Sequence, residues 1–153
     1  MIEELEQISL FNGLSCEQME AIAGLCDRKL YNDGDFLITE GDGSSSDLYI
    51  LLSGSVEIVS SNAATTSSEV VLSREDKEIF GEISWLTGAR RTAGVRCHGA
   101  VEAIRIDGGA LMQYLENEPE AGFHVTRKIA VLLSMRMEDS NRLLKQLLWN
   151  RDI

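Results

Sequence analysis

Positive charge is what this 153-residue chain has least of: 14 Lys and Arg against 25 Asp and Glu leave a formal net charge of -11. A protein that grips nucleic acid or an anionic membrane surface carries a basic face. No stretch here supplies one, so neither nucleic acid nor membrane is expected as a partner. Cysteine is sparse and odd in number: Cys16, Cys26 and Cys97 make no CxxC pair and no disulfide framework. The N-terminus, MIEELEQISLF, opens with acids and lacks the basic start and apolar run of a signal peptide. No apolar stretch nears the ~20 residues that span a bilayer. These absences predict a reduced, soluble, cytoplasmic protein.

What the chain does have is 44% hydrophobic residues spread along its length, enough for one core and one domain over 1–153. Three regions differ in periodicity. In residues 1–28, SCEQMEAIAGLC reads as a short amphipathic helix. Ser15 and Gln18 stand three apart as in a capping box, and Met19, Ile22, Ala23 and Cys26 recur at helical spacing. Residues 29–107 change to short β-like runs (FLIT, DLYILL, SVEIVS, EVVLS, TAGVRC, VEAIRID) parted by the Gly-rich turns NDGD, EGDGSSSD and LSGS. Such spacing indicates a sandwich, roll or barrel. The polar segment SSNAATTSSE reads as a mobile hairpin connector. Residues 108–153 are helical. GGALMQYLENEP stops near Pro119, which then suits the first turn of a new helix. Val125, Ile129, Leu132, Leu133, Arg136, Leu143, Leu144 and Leu147 make its stripe, interrupted from Glu138 to Arg142. A helix of ~30 residues is ~45 Å long and outreaches a small β-domain. Packing against the same helix of a second copy is the expected remedy.

The segment IFGEISWLTGARRTAGV, Ile79 to Val95, carries the chemistry. Gly81 and Glu82 follow a strand-like run and open one helical turn. Free backbone N–H groups at such a turn attract anions, and glycine allows close approach. The guanidinium of Arg91 suits two phosphate oxygens at once. The pair therefore fits a nucleotide with one negative charge and a free hydroxyl. A surface ion pair between Glu82 and Arg91, worth ~0–1 kcal/mol, is the other reading of the same two residues.

This segment resembles the phosphate-binding cassette of cyclic-nucleotide-binding domains of the catabolite-activator and protein-kinase-A regulatory type. The matching residues are Phe80-Gly81-Glu82-Ile83-Ser84, Trp85-Leu86 and Arg91-Thr92-Ala93. The resemblance extends through YNDGDFLITEGDGSSSDLYILLSGSVEIV, with glycines at 34, 41 and 54, and through NEPEAGFHVTRKIAVLLSMRMED. It implies a mainly β fold, an eight-stranded β-roll of jelly-roll type, with N-terminal helices and a long C-terminal helix. It implies cAMP or cGMP as ligand and no metal. Glu82 would bind the ribose 2′-hydroxyl and Arg91 the exocyclic phosphate oxygens. Gly81, Ile83, Ser84, Thr92 and Ala93 would line the cassette. Arg136 matches the family's arginine on the C-terminal helix, where it either contacts the base or stands exposed or dimer-facing. Thr92 resembles the cGMP-binding form of kinase-type sites, although bacterial cAMP receptors also use a hydroxyl there.

The sequence departs from the pattern at Trp85, in place of a leucine, at Arg90, in place of a proline, and at Gly94. Trp85 either narrows the pocket or fills the core, and core is the expectation. No helix-turn-helix, kinase-inhibitor segment or channel follows the long helix, so the chain reads as a sensor whose output passes to an effector protein. The alternative is a β-roll used for dimerisation or assembly, its pocket degenerate or otherwise used. An enzyme is not expected: His98 and His124 are too few for a cupin-type metal cluster, and no G-x-S-x-G motif occurs.

Overall fold

The computed structural model of the protein describes residues 1–61, 68–75 and 79–151. Helix α1 (Ile2–Glu6), a 3-10 turn (Ser9–Phe11) and α2 (Cys16–Ala23) come first. α2 starts at the expected capping box. The Ser15 hydroxyl accepts from the Gln18 amide at 3.1 Å, and the Gln18 side chain accepts from the Ser15 amide at 2.9 Å. Met19 and Ile22 are buried. Cys26, expected on this helix, instead opens strand β1 (Cys26–Tyr31) and pairs with Ile106. The helix ends at Gly24, yet the Cys26 thiol still reaches back to the Ile22 carbonyl at 3.2 Å. The helical spacing thus survived as a contact after the backbone had become a strand.

Among the described residues the sheet has six strands: β1, β2 (Phe36–Ile38), β3 (Leu48–Ser61), β4 (Ser68–Glu75), β5 (Ile79–Phe80) and β6 (Gly94–Ile106). The order is β1-β6-β3-β4, with β2 also on β6 and β5 also on β3. The expected eight strands are present as six because β3 and β6 run on through register shifts at Leu51/Ser53 and Ser53/Ser55. Gly54, at φ 92°, sits in that bend, where a Cβ would lie 2.5 Å from the Ala100 carbonyl oxygen. Cutting both long strands at the bend yields the eight arms of a roll. The middle of the polar connector, residues 62–67, lies outside the described residues.

Alternation on the two long strands divides the apolar side chains between two cores. Leu48, Ile50, Ile104 and Ile106 face the helices and meet Leu5, Phe11, Ile22, Trp85, Leu111, Val125 and Ile129. Leu51, Val56, Val101 and Ala103 face into the roll with Leu37, Ile38, Phe80, Val95 and Cys97. Helix α4 (Gly108–Asn117) is capped by Asp107, which accepts from the Ala110 amide at 3.0 Å. Pro119 opens α5 (Pro119–Arg151), 33 residues and so ~50 Å long. Ala121, Val125 and Ile129 bury its first turns, whereas Leu143, Leu144, Leu147, Leu148 and Trp149 are exposed. No helix among the described residues is long and apolar enough to cross a membrane.

Candidate functional site

Strand β5 pairs with Tyr49 and Ile50 of β3 and delivers the chain to Gly81. Gly81 has φ 94°, a conformation open to glycine and costly for other residues. It is also crowded: a Cβ would lie 2.6 Å from Arg91 Nη1 and 2.7 Å from the Asp47 carbonyl oxygen. The glycine therefore makes room for the arginine. Helix α3 (Glu82–Thr87) follows and is closed by Gly88 at φ 74°.

Arg91 returns to this point from the other side. Its amide donates to the Asp42 carbonyl at 2.9 Å, and its carbonyl accepts from the Gly41 amide at 2.8 Å, which locks the backbone to the EGDG turn. Its side chain turns inward. Nη1 donates to the Gly81 carbonyl at 3.1 Å and Nη2 to the Asp47 carbonyl at 2.7 Å. The residue is 5% exposed. Among the described residues no carboxylate forms an ion pair with it. A buried cation satisfied only by carbonyl dipoles retains strong attraction for an anion.

Glu82 is 6% exposed and does have a cationic partner. Arg136 of α5 donates from Nη1 to Glu82 Oε1 in a close ion pair, and from Nη2 to the Ile79 carbonyl at 3.0 Å. Arg136 is thus half-buried, its side chain 22% exposed, at the wall of the cavity. It holds the long helix against the first residues of the cassette, across 54 positions of sequence.

All eight residues singled out in the sequence, Gly81, Glu82, Ile83, Ser84, Arg91, Thr92, Ala93 and Arg136, line one cavity of about 210 Å³. Ile38, Ile58, Phe80 and Val95 complete its wall, and sequence reasoning had missed them. Their signal was the strand register. Val95 pairs with both Ile58 and Ile38, so the three stack on one side of the roll. Trp85 lines no part of the cavity. It is 4% exposed in the helix-facing core, with its indole N–H on the Gly108 carbonyl at 2.8 Å, as the core reading expects. Arg90 is exposed, rests on Gly43 and donates to the Gly41 carbonyl at 3.3 Å. Nearby, the Ser44 hydroxyl and amide hold the Asp42 carboxyl below its usual range, with Arg91 and Arg90 contributing by charge. Among the described residues no cluster of His, Cys, Asp and Glu could hold a metal ion.

Comparison with known proteins agrees with this geometry. The family model of the cyclic nucleotide-binding domain matches residues 28–118. The cyclic nucleotide-gated channel beta-3 of Canis lupus familiaris is 26% identical over 135 residues, 86% of this chain and 17% of the channel. This chain thus spans about a sixth of that relative. A cyclic nucleotide-binding domain from Methylobacillus flagellatus superposes with a TM-score of 0.78 at 25% identity, covering 95% of this chain and 81% of that one. The catabolite activator protein of Thermus thermophilus shares the fold at a TM-score of 0.73 and 24% identity, covering 91% of this chain and 62% of that one. With a family match over more than half of its length, on the fold and cassette described above, the chain belongs to the cyclic nucleotide-binding domain family.

Proposed function

We propose that this protein is a cyclic-nucleotide sensor in which Arg91 takes the cyclic phosphate and Glu82 the ribose hydroxyl. The observation that carries the reading is the buried Arg91 guanidinium, held at the cavity by two carbonyls and by no carboxylate among the described residues. A monoanionic phosphodiester supplies the missing charge. Ile83, Ser84, Thr92 and Ala93, with backbone N–H groups from Gly81 onward, form the rest of the ligand's bed. The apolar wall of Ile38, Ile58, Phe80 and Val95 suits the uncharged ring of a nucleotide. Arg136 is the lid contact: a ribose reaching Glu82 meets a carboxylate already paired with α5. Binding therefore alters how α5 is held, and residues 108–153 are the output part read by an effector protein.

The channel relative named above is called cyclic nucleotide-gated, which supports the ligand class and leaves cAMP and cGMP to be compared by experiment. The alternative, an assembly module with a degenerate pocket, drew its support from Trp85, and Trp85 stands outside the cavity. Thermal unfolding with each nucleotide tests the proposal. At 100 times its dissociation constant a ligand stabilises by ~2.7 kcal/mol, about 5–10 °C for a chain of this size. An unmoved midpoint with millimolar cAMP and with millimolar cGMP sinks it.

Self-association through α5 belongs to the same proposal. Its exposed part carries Met137, Ser140, Leu144 and Leu147 in steps of three and four residues, the spacing of a two-helix seam.

A further inference from the structure

With a formal charge of -11 the molecule repels anions at long range. Two of the cations at the cavity do little against that repulsion. Arg91 is 5% exposed, and Arg136 is tied to Glu82. Arg90 differs from both: it is exposed, and among the described residues no carboxylate forms an ion pair with it. Its side chain is nevertheless fixed. The stem lies across Gly43, where a Cβ would come 3.2 Å from Arg90 Cγ and 3.8 Å from Cζ. Nη1 donates to the Gly41 carbonyl at 3.3 Å. Gly41 also donates its amide to the Arg91 carbonyl at 2.8 Å, and the Asp42 carbonyl accepts from the Arg91 amide at 2.9 Å. The side chain of Arg90 and the backbone of Arg91 thus grip one turn, residues 41–43. That turn sets one guanidinium at the surface and the other at the cavity. Thr92, two residues after Arg90, both lines the cavity and is exposed, which puts the opening close to Arg90.

We propose that Arg90 is an electrostatic steering residue, whose surface charge draws an anionic phosphodiester toward Arg91 without contacting the bound ligand. This role rests on the cyclic-nucleotide reading of the cavity. The geometry supports the division of labour. Arg90 lines no part of the cavity, so its charge acts from outside. Held on the turn, that charge stays beside the opening and does not sweep through solvent. Asp42 sits in the same field: its carboxyl is lowered first by its bonds from Ser44, then by the charges of Arg91 and Arg90. A charge acting through water reaches ~30 Å at 0.01 M salt and ~10 Å at 0.1 M. It speeds encounter and leaves dissociation almost untouched. An arginine that only shaped the turn would act on dissociation and on fold stability, at any salt concentration.

Stopped-flow mixing of the full chain with cAMP and with cGMP, each carrying a fluorophore on C8 of the base, tests this across a salt series. Arg90→Gln is expected to slow association about two- to fivefold at ~10 mM salt and to match the wild type at ~500 mM. Its dissociation rate is expected to stay within about twofold of the wild type throughout. Arg90→Lys keeps the charge and is expected to restore association. Asp42→Asn removes the opposing charge while keeping an oxygen for the Ser44 bonds, and is expected to speed association at low salt. Lys29→Gln removes an exposed charge from β1, away from the cavity lining, and is expected to slow association less than Arg90→Gln does. An Arg90→Gln association rate equal to the wild type at low salt overturns the steering role. So does a deficit undiminished at high salt, a failure of Arg90→Lys to restore the rate, or a slower Asp42→Asn. Equal slowing in Lys29→Gln overturns it as well, because net charge would then account for the effect. A wild type that binds neither analogue brings down the nucleotide reading and the steering with it. A wild type that binds while Arg90→Gln matches it at every salt concentration brings down the steering alone.

Discussion

Gly81→Ala probes the tightest point of the site, and its cost follows from two features of the structure. The first is the backbone: at φ 94° an alanine costs ~1–2 kcal/mol relative to glycine. The second is space. The new methyl would sit 2.6 Å from Arg91 Nη1 and 2.7 Å from the Asp47 carbonyl oxygen, where ordinary contact begins at ~3.5 Å. One neighbour is backbone and the other a buried side chain, so relief requires Arg91 to swing away from Gly81. We expect a total loss of ~2–4 kcal/mol, or about 4–16 °C in melting midpoint, and a fall in nucleotide affinity of at least about tenfold. Gly88→Ala is the internal control. Gly88 has φ 74° and nothing within 4 Å of its would-be Cβ, so it pays the backbone term alone. The difference between the two variants isolates the crowding at Arg91. Differential scanning calorimetry and titration of both variants provide the readout. A Gly81→Ala loss within ~0.5 kcal/mol of the Gly88→Ala loss, with affinity intact, refutes the close seating of Arg91 on Gly81.

Other outcomes are expected. Glu82→Gln keeps the shape but removes the charge that pairs with Arg136, so nucleotide affinity should drop by ~1.5–3 kcal/mol; titration showing no change would remove Glu82 from the site. Burial pushes the Cys97 thiol up to about 11 and the Cys26 thiol up to about 12, from an ordinary 9.0. The folded state thus binds protons that the unfolded state releases first. This stabilisation is whole below about pH 9 and is lost as pH rises toward 11 and 12, so melting midpoints should decline through that window and not below it. At pH 8 Ellman's reagent should titrate the exposed Cys16 quickly and the other two thiols only on unfolding. Leu144→Glu with Leu147→Glu should abolish self-association in sedimentation without lowering the melting midpoint of the roll, since both side chains are exposed in the single chain; an unchanged sedimentation coefficient would exclude that seam.

Local signals were the most legible part of the sequence. Ser15 and Gln18, and Pro119, announce helix starts by side-chain chemistry acting over three residues or fewer. The cassette is legible because its glycine, acid and arginine lie within eleven consecutive positions, and the structure brings them to one cavity. Contacts that close over long separations left little trace. Nothing near Arg136 in sequence indicates Glu82, and the Asp47 carbonyl that holds Arg91 is backbone, which no residue type encodes. Cys26 was misplaced because helical spacing and a strand start both put its side chain under Ile22. The strand count differed because β3 and β6 run on as single strands through the bend at Gly54 although their register shifts there, which periodicity alone does not reveal.

The central claim is that Arg91 holds the phosphate of a cyclic nucleotide. Isothermal titration of cAMP and of cGMP into the wild type and into Arg91→Ala tests it most directly. The account predicts saturable binding of at least one nucleotide by the wild type and a loss of ~3–5 kcal/mol in the variant, two to three decades or more in affinity. Absence of binding in the wild type, or a variant within about tenfold of it, would contradict the account.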